Sequence, residues 1–139
     1  MSDKIEFCCA NCGTTSNYFL STSCPSCGYI GSKWPKIDLN GYEDMLLFLQ
    51  KETYELNDTI ALTIHSLEDS CLEPFLEITT NFAGAEYHLN ENEIMVKTWS
   101  ENSSIIKPLL ESGFFIDTGK KVKVSQFCEA SIWKLIRNF

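Results

Sequence analysis

The sequence predicts an α+β chain that is mostly β and built in two units, a cysteine-rich one over residues 1–36 and a larger one over residues 37–139. Three observations predict it. Two Cys-x-x-Cys pairs stand close together near the start. Apolar and polar side chains alternate with period two through the middle of the chain. One later stretch combines N-cap residues, helical spacing and a glycine stop. The chain has 139 residues, 44% of them hydrophobic and 22% charged, a globular composition that excludes disorder as the state of the whole.

The first unit is rich in Cys, Ser, Thr, Asn and Gly and poor in aliphatic residues, so burial alone does not hold it together. Its information lies in Cys9-Ala-Asn-Cys12-Gly13 and Cys24-Pro-Ser-Cys27-Gly28, separated by eleven residues. A two-residue gap lets two thiolates point at one ion, and the glycine after each pair permits the positive φ of a tight knuckle. Four thiolates close a tetrahedron and leave no position for water, so the site they predict is structural rather than catalytic. This part of the sequence resembles a zinc ribbon, which implies Zn²⁺ held by Cys9, Cys12, Cys24 and Cys27. A rubredoxin-like iron site uses the same ligands and stays open. Two matched pairs do not suit a thioredoxin-like redox motif. Cys8 is left over, because Cys8 with Cys12 makes a gap of three.

Seven cysteines, an odd number, point to metal binding in an intracellular setting rather than to a disulfide framework. The opening MSDKIEF lacks the apolar stretch of a secretory signal, and no apolar run is long enough to span a bilayer. A cytoplasmic protein is expected.

The junction to the second unit is placed at residues 32–40, around Pro35. Strand-like alternation follows at residues 45–56, 59–67, 73–82 and 93–99, with Asn57-Asp58 as a hairpin turn and a break over residues 81–84. Residues 99–104 offer N-caps to a helix carrying Ile105, Ile106, Leu109 and Leu110 and ended by Gly113. Residues 114–117 and 122–126 read as a second hairpin turning at Thr118-Gly119. The tail with Ile132, Trp133 and Ile136 fits helix or strand equally.

Charge is concentrated rather than spread. Residues 1–36 carry +1, residues 37–95 carry −12 (thirteen acids against Lys51), and residues 96–139 carry +3, which add to the net −8. That total argues against a duplex-DNA binder, whose affinity comes from neutralising phosphates. A single-sign block of this kind is either a solvated face or a docking surface for a basic partner. As a docking surface its candidate contacts are Glu43, Asp44, Glu52, Glu55, Asp58, Glu68, Asp69 and Glu73.

Catalytic constellations are scarce: there is no phosphate loop, nucleophile elbow or HExxH. Glu91 and Glu93 are read as a solvated loop, Cys71 and Cys128 as core thiols, and His65 and His88 lack ligand spacing. The chain is expected not to be an enzyme.

Beyond the knuckles, Ile78-Thr-Thr-Asn-Phe82 and Met95-Val-Lys-Thr-Trp-Ser-Glu-Asn102 resemble landmarks of a small domain found in mobile elements and phages of Gram-positive bacteria. Short, acidic and bearing four zinc-type cysteines, the chain also resembles the zinc-containing anti-CRISPR proteins that inhibit type II effector nucleases. The resemblance implies a non-enzymatic inhibitor that binds the nuclease and blocks DNA loading or cleavage in the cytoplasm of the bacterial host, with a structural zinc. The only residues it assigns are Cys9, Cys12, Cys24 and Cys27. The alternative is a zinc-ribbon nucleic-acid-binding or transcription-associated accessory protein, using Lys33, Trp34 and Lys36 after the second knuckle and the Gly119-Lys-Lys-Val-Lys123 stretch.

Overall fold

The computed structural model describes residues 7–9, 15–16, 33–68, 71–99 and 102–137, with the side chains of residues 7–9, 15–16, 33 and 71 outside the description. β1 (Phe7–Cys9), β2 (Thr15–Ser16) and β3 (Lys33–Pro35) form a small antiparallel sheet in the order β2-β1-β3. The chain leaves β3 directly into the larger unit. Lys36 bridges Phe48, the Ile37 amide donates to the Leu47 carbonyl at 2.9 Å, and Ile37 and Leu39 are buried.

The predicted alternation over residues 45–56 and 59–67 folds as β4 (Leu47–Thr53) and β5 (Ile60–Glu68), an antiparallel hairpin closed at Tyr54–Thr59 with Asp58 at φ 58°. β6 (Cys71–Glu77) extends it into a three-stranded sheet, with a register shift at Ile64/His65 where the partner is Pro74. β4 begins two residues later than the alternation suggests.

The second sheet has the order β7-β9-β8, with β7 (Glu93–Val96), β8 (Phe115–Lys123) and β9 (Glu129–Leu135) all antiparallel. One open expectation is resolved here and one is corrected. The tail is a strand: Trp133 pairs with Ile94 and Ile132 with Met95, which buries both faces of β9. Residues 115–117 and 122–123 are not in two strands of a hairpin but in one strand with a bulge. Gly119, at φ 82°, lets the extra residues loop out, while Asp117 Oδ1 accepts the Gly119 amide at 2.9 Å and the Thr118 hydroxyl donates to the Ile132 carbonyl at 2.6 Å. The true turn follows at residues 124–128.

The helix α1 (Ile106–Glu111) lies where it is expected and stops at Gly113, φ 87°. Its N-cap is Ile105, which makes no side-chain cap, rather than a polar residue of 99–104. Asn102 is used otherwise: fully buried, it donates from Nδ2 to the Glu77 carbonyl at 2.8 Å and ties the turn before α1 to the end of β6. Pro108 falls in the first turn, where its missing N–H has no intrahelical partner to lose.

One core lies between the two sheets, built from Leu49, Leu62 and Ile64 on one side and Ile94, Val96, Trp133 and Leu135 on the other, with Leu109 of α1. A smaller core covers the opposite face of β7-β9-β8, where Met95, Ala130 and Ile132 meet Phe82, Leu89 and Trp99. Among the described residues no helix is long and apolar enough to cross a membrane.

Candidate functional site

The backbone register of the first sheet bears on the cysteine pairs. β1 ends at Cys9 and β2 begins at Thr15, so the first pair belongs to the connection between them. β3 starts at Lys33, opposite Cys9 and six residues past Cys27, at the end of the sheet where β1 turns back. Cys12, Cys24 and Cys27 lie outside the described residues, as does the side chain of Cys9. The donor set, four thiols in two matched pairs, fits a closed tetrahedral metal. Among the described residues no group of three or more His, Cys, Asp or Glu is placed to hold a metal ion.

The candidate acids divide in two. Glu43, Asp44, Glu52, Glu55, Asp58, Glu68 and Glu73 are all exposed; Asp69 lies outside the described residues. Glu52, Glu55 and Asp58 stand at the β4–β5 turn. Asp44 and Glu68 stand at the opposite end of the same hairpin, with Glu73 across from Ser66 on β6. Seven residues of β4 separate the groups by about 20 Å. The described candidate acids therefore form two clusters rather than one strip. Their internal bonds differ too. Glu52 accepts Gln50 Nε2 at 2.7 Å, and Glu43 accepts the Gly41 amide at 3.0 Å, which with its own amide lowers its carboxyl pKa.

Between Asp44 and Glu68 the surface opens into a cleft of about 350 Å³, lined by Asp44, Met45, Leu46, Ser66, Leu67 and Glu68. Leu46 is 44% exposed although it stands in a run of five apolar residues. Neither carboxylate has an ion-pair partner among the described residues. The sequence names both acids but not the apolar floor between them. An odd-phase leucine just before β4 is the one signal that points there.

The face of the β4-β5-β6 sheet away from the core between the sheets carries Phe48, Gln50 and His65. Trp34 of β3 stacks on the His65 ring at 4.5 Å, and His65 Nε2 lies 2.7 Å from Gln50 Oε1. With Gln50 donating to Glu52, a polar chain runs from the last strand of the small sheet to one of the candidate acids. Burial lowers the His65 pKa and the Glu52 charge partly offsets it.

The residues of the nucleic-acid alternative are partly engaged within the fold. Trp34 is stacked, Lys36 lies 3.7 Å from Asp38 and Lys120 Nζ reaches Glu93 Oε1 at 2.9 Å, whereas Lys121 and Lys123 are exposed, Lys123 across the strand pair from Glu129. The side chain of Lys33 lies outside the description. Glu93 is not the solvated loop acid expected: it is buried, at 8% exposure, because β7 carries it into the sheet beside β9. Burial raises its carboxyl pKa, but the Asn90 amide at 2.8 Å and the Lys120 ammonium outweigh that and hold it below the usual value. Glu91 is exposed. Cys128 is half-buried at the β8–β9 turn rather than a core thiol, since the turn leaves it outside both cores; the side chain of Cys71 is outside the description. His88 is exposed in a short 3₁₀ turn.

No family model matches the chain, and neither a curated protein nor a solved structure matches it.

Proposed function

We propose that the protein is a non-enzymatic inhibitor of phage or mobile-element origin, stabilised by a four-cysteine zinc site, that docks its acidic surface on a type II CRISPR effector nuclease in the bacterial cytoplasm and blocks DNA loading or cleavage. The observation that carries the docking part is the acidic hairpin: seven described candidate carboxylates on and around β4–β6 are all exposed, in a block of −12. The nuclease as partner rests on the resemblance and on complementarity. Such effectors hold nucleic acid in a positively charged channel, which an acidic surface also meets. Two separated clusters favour steric docking beside that channel over imitation of a continuous phosphate backbone.

The nucleic-acid reading is weaker, because Lys120 is paired with Glu93, Trp34 is stacked on His65 and the net charge is −8. Four cysteines in two matched Cys-x-x-Cys pairs support the zinc expectation by ligand chemistry.

The test is a target-DNA cleavage assay with a type II nuclease, adding this protein before or after DNA loading, with size-exclusion co-elution of the two proteins. Inhibition restricted to addition before loading, together with co-elution, is expected. Glu52→Lys combined with Glu55→Lys and Asp58→Lys tests whether the turn cluster contributes. Absence of both inhibition and co-elution across several such nucleases removes this reading.

A further inference from the structure

We infer that the cleft between Asp44 and Glu68 seats a single arginine side chain of the protein partner. This rests on the reading of the acidic hairpin as a protein-docking surface, and it adds where the partner engages and through which chemistry. The two carboxylates stand on either side of an opening of about 350 Å³ whose remaining lining is Met45, Leu46, Ser66 and Leu67. That volume is at the lower end of what a small ligand occupies and admits one long side chain with its stem. The Leu67 amide donates to the Leu46 carbonyl at 2.9 Å, so the two sides of the cleft are fixed to each other by backbone.

Charge selects a cation. Asp44 and Glu68 have no ion-pair partner among the described residues, whereas buried Glu93 is already matched by Lys120. Among the described residues no group of three or more His, Cys, Asp or Glu stands here to hold a hard metal ion. Calcium takes six to eight oxygens, and this lining offers two carboxylates and one hydroxyl beside three apolar side chains. Among organic cations the apolar floor favours guanidinium over ammonium. Guanidinium is planar and weakly hydrated, lies flat on apolar surface and presents donors in several directions at once. A lysine ammonium is compact and keeps its water. The exposed Leu46 then packs on the aliphatic stem of the incoming residue.

The experiment is an amide chemical-shift titration of the full-length zinc-loaded protein with Nα-acetyl-arginine amide, Nα-acetyl-lysine amide and the uncharged isostere Nα-acetyl-citrulline amide. Arginine amide is expected to produce saturable shifts at residues 44–46 and 66–68. Lysine amide gives weaker shifts there and citrulline amide gives none. Asp44→Asn combined with Glu68→Gln, both exposed positions, abolishes the arginine response and leaves the rest of the spectrum in place. Equal responses to citrulline, equal shifts at residues 52–58, or an unchanged response in the double variant overturn the seat. The two readings fail separately. Nuclease binding that survives the double variant removes the seat and leaves the docking, while arginine binding at the cleft with no nuclease bound removes the nuclease and leaves the seat.

Discussion

The Thr79 hydroxyl accepts the Leu62 amide at 3.1 Å and lies 2.8 Å from the Tyr54 hydroxyl, at a position with no exposed surface. A hydroxyl carries one hydrogen. Thr79, already an acceptor, is placed to give its hydrogen to Tyr54, whose own hydrogen then points to Glu77 Oε1 at 3.4 Å. The chain runs toward a carboxylate. Burial raises the Tyr54 pKa, the Thr79 bond lowers it and the Glu77 charge raises it again, so the phenol stays protonated. Thr79→Val keeps the side-chain shape but leaves the Leu62 amide without its acceptor. We expect a loss of about 1–3 kcal/mol in urea unfolding; an unchanged midpoint would remove the hydroxyl from that role. His65 gives a prediction of opposite origin. Burial depresses its folded pKa, so below the unfolded value, about 6.5, the unfolded chain binds more protons. Stability from this group is complete above pH 6.5 and is lost as pH falls through the folded pKa. Unfolding midpoints measured from pH 7.5 to 5.5 should decline, and His65→Gln should flatten that decline.

At the scale of elements, legibility follows how local the cause is. The β4–β5 hairpin and α1 are readable because their signals sit within a few residues: Asn57-Asp58 at the turn, Gly113 at the helix stop. β8 and β9 are not. Gly119 normally argues for a turn, and only the partner strand, reached across the loop at 124–128, shows that it relieves a bulge instead. The tail hides its period because Ala130, Ser131, Ile132 and Trp133 are all buried, two on each face. The candidate site is half readable. The exposure of Asp44 and Glu68 follows from their charge, but their meeting across a cleft is set by β4–β5 register. Gly119→Ala tests the bulge. No atom lies within 4 Å of the added Cβ, so only the positive φ is strained, and thermal unfolding should report a cost of about 1–2 kcal/mol.

For the whole molecule, we expect the small sheet and the larger unit to depend on different forces. The larger unit has two cores, whereas the first 36 residues offer little apolar surface and four cysteines at metal-ligand spacing. Cys9→Ser or Cys24→Ser should release the metal and lower the melting temperature, measured by metal content and calorimetry. Either variant with stoichiometric metal and parental stability would refute the quartet.

The strand order β7-β9-β8 has a consequence for how the chain is made. β9 follows every other described element in the chain, yet it is the middle strand of its sheet and contributes Trp133 to the core between the sheets. During vectorial synthesis β7 and β8 emerge first and find no partner in each other. Until β9 arrives, each lacks its partner strand and the core between the sheets lacks Trp133 and Leu135. Interruption of translation before residue 129 therefore leaves two strands with unpaired edges, a fragment prone to association.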